Sequence, residues 1–168
     1  MKTILYVSTT VDGRVARAED SGGVPPVVLS DLMALVARHG AMVIGRRTYE
    51  LFRDMGAIET IPGRIVVISR SLRSAPGVTI ATSPQDALEQ LTEGGQAAAV
   101  LCGGVETYNG FLSLGACDEV RLNIVPVLLG RGPSLADWDA PLELGFAEAV
   151  PLGDGIVQLR YSRAVASQ

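Results

Sequence analysis

The sequence predicts an α/β fold, a mixed and mainly parallel sheet with crossover helices, closed by a C-terminal antiparallel hairpin. Three observations carry that expectation. Short runs rich in Val, Ile and Thr alternate with helix-length amphipathic runs. Glycines stand where several strand-like runs give way to helical ones. The last quarter holds alternating strand-like runs with no helical run between them. A chain of 168 residues is long enough to bury a substantial core as one domain, 1–168.

Residues 2–10 (KTILYVSTT) read as a first strand, followed by a Gly/Pro-containing loop from Asp12 to Pro26. Ser30 is a plausible N-cap for a helix over 31–39, with Leu32, Leu35 and Val36 on one face and Gly40 as its stop. AMVIG (41–45) reads as a short buried strand and RRTYELFRDM (46–55) as a helix that follows directly. RIVVIS (64–69) and VTIAT (78–82) are further strands. Ser83-Pro84-Gln85-Asp86 signals a helix start, with an N-cap serine, proline in the first position and an acid in the first turn. That helix ends at Gly94-Gly95. AAAVLC (97–102) is a strand, Gly103-Gly104 leads into a helix over 105–114, and EVRLNIVPVLL (119–129) is a long strand. The segments 143–150 and 156–164 alternate well enough for the closing hairpin.

Composition excludes several kinds of chemistry. His39 is the only histidine, and Cys102 and Cys117 are the only cysteines. Zinc fingers, Cys/His metal centres and CxxC redox pairs need more than that, so no metal site is expected. The two cysteines read as buried free thiols. Charged residues make up 19% and the net charge is −4, with every basic residue but Lys2 an arginine. No basic footprint for nucleic acid appears. No stretch approaches a membrane-spanning length, and the start is too short and polar for a secretory leader, so the cytoplasm is the expected location.

Ligands of such sheets bind beyond the carboxyl ends of the strands, so the strand-to-helix turns are the places to inspect. Three stand out: Gly45-Arg46-Arg47-Thr48, Ser69-Arg70-Ser71 and Gly103-Gly104. A glycine lets backbone approach a ligand, and the helix N-terminus after it offers free N–H groups to a phosphate. Arg46, Arg47 and Arg70 add cationic donors, so a dinucleotide is the natural candidate. Neither GxGxxG after the first strand nor a GxxxxGK[ST] loop occurs. Gly130-Arg131-Gly132 reads as an ordinary turn.

VSTTVDGRVA, VIGRRTYE, VVISRSL, CGGVETYNGFL and DEVRLNIVPVLLGRGP follow in this order over about 3–133. Together they resemble the dihydrofolate reductase-like superfamily, and more closely the branch with the C-terminal reductase domain of bacterial riboflavin biosynthesis. The resemblance implies a three-layer sandwich and an oxidoreductase using NADPH. It places Gly45, Arg46, Arg47 and Thr48 on the pyrophosphate and adenosine phosphate, and Ser69 and Arg70, with Ser71 beside them, on the 2′-phosphate. Gly103, Gly104, Val105, Glu106 and Thr107 would form the second phosphate-side turn, with Tyr108 near the nicotinamide. Ser8, Val15 and Ala16 would line the nicotinamide pocket. Glu106 departs from relatives that carry arginine there, and its carboxylate would repel a 2′-phosphate.

Hydride addition to a C=N bond leaves a nitrogen that needs a proton. Asp31 matches the region where folate-reducing members place a carboxylate, and it equally suits the start of a helix, where the dipole favours an acid. His39 reads as a C-terminal dipole contact, Asp12-Gly13 as a turn, and Trp138 as a packing residue. The substrate is expected to be a small pyrimidine- or pterin-like heterocycle, or a related imine or carbonyl compound. The loop before the first helix lacks the Pro-Trp of folate reducers, and aromatics are only 5% of the chain, which argues against dihydrofolate. A true dihydrofolate reductase and a non-catalytic NADP-binding protein stand as alternatives. The apolar segment 122–129 suits either a dimer edge or a central strand, so a homodimer is a possible assembly.

Overall fold

The computed structural model describes residues 1–15, 24–135 and 141–164. In chain order its elements are β1 (Lys2–Thr10), α1 (Pro26–His39), β2 (Ala41–Gly45), α2 (Arg46–Asp54), a 3-10 turn (Ile58–Thr60), β3 (Arg64–Ile68), β4 (Thr79–Ala81), α3 (Pro84–Glu93), β5 (Ala98–Leu101), α4 (Val105–Ser113), β6 (Glu119–Val125), β7 (Leu144–Gly153) and β8 (Ile156–Arg163). They form one eight-stranded sheet in the order β4-β3-β2-β5-β1-β6-β8-β7. The first six strands in that order pair in parallel, and β8 runs antiparallel to both β6 and β7. The sequence expectation of a mainly parallel sheet with a closing hairpin holds.

Period-two alternation divides the core. Ile4, Tyr6, Met42, Ile44, Ile65 and Val67 point to one face, where α1 and α2 cover them. Ala41, Val43, Val66, Ala99 and Leu101 point to the other, against α3 and α4. Leu5, Val7 and Val120 continue that second layer beneath α4. Buried on both faces, the central strands read as continuous apolar runs.

Three expectations need correction. The first helix begins at Pro26, with Pro25 as its N-cap residue, five positions before the expected start. Proline suits the first helical position because its missing N–H would be unpaired there in any case. Ser30 is therefore inside the helix, and Asp31 lies beyond its first turn, so the dipole no longer explains that acid. The strand expected over 119–129 ends at Val125, since Pro126 has no N–H to continue a ladder. Of the two readings of 122–129, a dimer edge or a central strand, the central strand holds for residues 122–125, because β6 lies between β1 and β8.

Local signals elsewhere held. Gly40 closes α1 with φ 78°, and Ser83 Oγ accepts the Asp86 N–H at the start of α3. Asp12 and Gly13 turn the chain after β1, where the Asp12 carboxylate accepts from the Thr10 hydroxyl and the N–H groups of Gly130 and Leu129. Cys102 and Cys117 are buried free thiols. Burial pushes them up to about 12 and about 11, so neither is an anion near neutral pH. Trp138 and Ala16 lie outside the described residues. Among those residues, no helix is long and apolar enough to cross a membrane.

Replacing Ser83 by Ala removes the α3 cap and is expected to cost about 1 kcal/mol. That is a fall of roughly 2–4 °C in Tm, read by thermal unfolding. The Thr10 hydroxyl first, then the Gly130 and Leu129 amides, hold the Asp12 carboxyl at about 2. A depressed carboxyl stabilises the fold above its ordinary value, and that stabilisation is lost as pH falls through the folded one. Asp12→Ala should therefore lower Tm at about pH 6, and the gap to the unaltered chain should close near pH 2.

Candidate functional site

The strand connections diverge at the boundary between β2 and β5. From β2 the chain crosses to β3 on one side, and from β5 it crosses over β1 to β6 on the other. Such a point opens a crevice at the strand ends. Both turns that flank it are glycine turns leading straight into a helix. Gly45 is the N-cap residue of α2, and Gly104 that of α4.

The two turns interlock. The Gly45 N–H donates to the Gly103 carbonyl at 3.1 Å. A Cβ on Gly45 would lie 2.7 Å from Thr107 Oγ1, and one on Gly103 would lie 2.7 Å from Thr48 Oγ1. Each helix thus lays its third residue over the glycine of the other turn. Gly103 and Gly104 also need φ of 107° and 76°, which side chains rarely adopt. Neither α2 nor α4 has a side-chain cap on its first N–H groups, whereas α3 is capped by Ser83. Two uncapped, positively polarised helix ends therefore face one crevice.

The neighbouring strand brings the third predicted turn alongside. Ile68 pairs with Gly45 across β3 and β2, so Ser69, Arg70 and Ser71 follow beside the α2 start. Ser69 Oγ shapes that turn by accepting the N–H groups of Leu72 and Ser71. Arg47 and Arg70 are exposed, and Arg46 is exposed and paired with Glu50 at 2.7 Å. Val105 opens α4, and Glu106 is exposed beside it. Tyr108 turns inward, and its hydroxyl donates to the Tyr6 carbonyl at 2.8 Å beneath α4.

A second group of polar side chains sits on the α1 face of β1, β6 and β8. Asp31 Oδ2 accepts the Tyr6 hydroxyl at 3.0 Å and the Gln158 amide at 2.8 Å. Gln158 Nε2 also donates to Asn123 Oδ1 at 2.9 Å, and Asn123 Nδ2 donates to Ser8 Oγ at 3.3 Å. Arg160 Nε donates to Gln158 Oε1 at 2.6 Å. Gln158 and Asn123 are fully buried, while Asp31 and Ser8 are partly exposed. Burial first, and then the Asp31 charge, push the Tyr6 hydroxyl far above its usual range, so it remains a neutral donor. Among the described residues nothing donates to Asp31 Oδ1.

Ser8 belongs to this group, but Val15 does not. Val15 bridges to Thr9 and packs with the cluster beneath α4, on the other face of the sheet. Tyr6, Asn123 and Gln158 carry the site and were not singled out in the sequence. The available signal was the polar Asn in EVRLNIV and Gln in IVQLRY, each at an inward-facing position of its strand.

The model of the RibD C-terminal domain matches residues 1–158. The chain belongs to the RibD C-terminal domain family. Similar solved structures include a protein from Shewanella sp. PV-4 ascribed to riboflavin biosynthesis, 24% identical with TM-score 0.81, covering 98% of this chain and 100% of that one. A pyrimidine reductase-like protein from Corynebacterium diphtheriae is 17% identical with TM-score 0.77, covering 98% and 92%. A diaminohydroxyphosphoribosylaminopyrimidine deaminase/5-amino-6-(5-phosphoribosylamino)uracil reductase from Thermotoga maritima is 16% identical with TM-score 0.72, covering 97% of this chain and 56% of that one. At these identities the likeness establishes the fold. No curated protein sequence matches.

The interlock yields a double-mutant test. Gly45→Ala places its methyl on Thr107 Oγ1 and should cost about 1–3 kcal/mol by overpacking. Adding Thr107→Ala removes the clashing atom, and the double variant should regain most of the lost Tm, because Gly45 has φ −80° and no backbone strain of its own.

Proposed function

We propose that this RibD-family chain is an NADPH-dependent reductase of a small heterocycle of pyrimidine type, or of a related imine or carbonyl compound. One observation carries the reading. Two helix N-termini without side-chain caps converge on one crevice through glycine turns, on the same sheet whose α1 face carries a carboxylate held by two buried donors.

The crevice suits a dinucleotide. Gly45, Arg46, Arg47 and Thr48, with Gly103, Gly104, Val105, Glu106 and Thr107, would take its phosphates on backbone N–H groups. Ser69, Arg70 and Ser71 would meet a 2′-phosphate, with Glu106 opposing it. The bound NADPH would supply a hydride. A Cβ on Gly45 or Gly103 would occupy space already filled by threonine, so the close approach of the two turns depends on glycine.

Asp31 orients the substrate and relays the proton that the reduced nitrogen needs. Its Oδ2 is committed to Tyr6 and Gln158, which leaves Oδ1 to meet a substrate N–H beside the reducible bond. Val28, Leu32 and Ile156 belong to the apolar cluster on the same face of the sheet. The pyrimidine class is supported by family membership and by the similar pyrimidine reductase-like and aminouracil reductase structures.

NADPH at about 100 times its Kd should stabilise the protein by about 2.7 kcal/mol, which is a rise of roughly 5–10 °C in Tm. Asp31→Asn should keep that rise and lower kcat by about 100-fold or more with an aminouracil substrate. A protein whose Tm ignores both NADPH and NADH would refute the reading. Cofactor binding with no turnover to lose would assign it to a binding protein.

A further inference from the structure

Tyr6 has one proton to give and faces two acceptors. Its hydroxyl lies 2.9 Å from the Val28 carbonyl and 3.0 Å from Asp31 Oδ2. A phenol donates a single hydrogen bond, so it serves one acceptor fully at a time. Both acceptors belong to α1, three residues apart, and Tyr6 itself is buried in β1.

The two acceptors differ in what they lose when the proton turns away. The Val28 carbonyl stands in the first turn of α1, where the helix itself supplies the N–H of residue 32. A carboxylate oxygen has no such reserve, and a hydrogen bond to it is about twice as strong as one to a neutral oxygen. An ionised Asp31 therefore draws the Tyr6 proton. A neutral Asp31 offers only the carbonyl of a carboxylic acid, a poorer acceptor than the amide oxygen of Val28, and the proton returns there.

Gln158, the other donor to Asp31 Oδ2, lacks this freedom. Arg160 Nε holds its Oε1 at 2.6 Å, and its Nε2 also serves Asn123 Oδ1 at 2.9 Å. Its amide cannot turn without losing both contacts, so it gives the same hydrogen bond in either state of Asp31. Of the two donors, only Tyr6 varies.

The titratable groups packed around this pair hold their charge states. Burial pushes Cys102, which follows β5, up to about 12 and Tyr108 of α4 well above its usual range, so both are neutral. On the hairpin, Arg160 and Glu148 pair at 2.6 Å and neutralise one another.

We propose that Tyr6 is a positioning residue for the proton step, its hydroxyl turning from Val28 to Asp31 as the carboxyl gives its proton to the substrate and turning back when the carboxyl is protonated again. The proposal rests on the reductase reading above. Hydride addition to the carbon of a C=N bond leaves an electron pair on the nitrogen. The Asp31 Oδ1–H bond breaks, an N–H bond forms, and the O–H pair stays on the carboxylate. Tyr6 keeps its own proton throughout, and only its direction changes. Water returns a proton to Asp31 after the product leaves.

The test joins NMR of the protein labelled with ¹³C in tyrosine and aspartate to kinetics of aminouracil reduction by NADPH. In the unaltered chain the Tyr6 Cζ resonance should move with pH in step with the Asp31 Cγ resonance. Asp31→Asn should leave Tyr6 Cζ unmoved over the same range. Tyr6→Phe should lower kcat by about fivefold, leave KM within about twofold and move the alkaline limb of the kcat profile up by about one pH unit. The limb moves up because the charged carboxyl loses its stronger hydrogen bond, so the proton-bearing form persists to higher pH. A packing role alone would lower Tm and leave that limb in place. A Tyr6 resonance that ignores the Asp31 titration would overturn the proposal, as would the same Tyr6 response in Asp31→Asn or a Tyr6→Phe profile that coincides with the unaltered one. The NMR titration needs no variant at position 6, so it decides the matter if Tyr6→Phe does not fold. Linked Tyr6 and Asp31 resonances without NADPH-dependent turnover would sink the reductase reading alone, and turnover with a still Tyr6 resonance would sink this proposal alone.

Discussion

Where β2 and β5 end, two threonines occupy the space that side chains on two glycines would need. Thr107 sits over Gly45 and Thr48 over Gly103, and one backbone hydrogen bond from Gly45 to Gly103 fixes the distance between the turns. That mutual fit sets where α2 and α4 begin, and hence where their polarised ends point. It also holds β2 against β5, the pair about which the parallel crossovers part in opposite directions. The geometry tolerates little change, because the clashing atoms are short, branched side chains on helices that cannot easily move.

The second constraint is the cost of placing polar groups inside an otherwise apolar sheet. Asn123 and Gln158 have no access to water, so each must find partners within the fold. They find them in one another, in Ser8, in Arg160 and in Asp31. Arg160 in turn is anchored by Glu148 on the outermost strand. The hairpin that completes the sheet therefore does more than cover its edge, since it supplies the residues that position the carboxylate.

Much of this was legible in the sequence where the signal is local. A serine cap, a proline at a first helical position and a glycine stop each act within a few residues, and α3 and the end of α1 followed them. The three strand-end turns were found in the same way, since a glycine before a helix marks itself. The rest depended on contacts between residues far apart in the chain. Ser30 looks like an N-cap, but Pro25 and Pro26 start the helix earlier, which brings Asp31 to face Tyr6 rather than the helix end. The partnership of residues 31, 123 and 158 exists only once β6 and β8 are side by side. Tyr108 shows the same limit, because nothing local reveals that its hydroxyl reaches the backbone of β1.

Arginine can donate hydrogen bonds and cannot accept them. Its contact with Gln158 therefore settles which end of that amide is oxygen, and the choice propagates inward. Gln158 must present its NH₂ to Asp31 and Asn123, Asn123 must present its own NH₂ to Ser8, and the Ser8 oxygen is used as an acceptor. The row of side chains has a fixed polarity from the solvent edge to the sheet centre. Among the described residues, the Ser8 hydroxyl has no acceptor for its own proton in this row. Ser8 and Asp31 thus end the row with opposite hydrogen-bonding capacity, a hydroxyl proton at one and a carboxylate oxygen at the other.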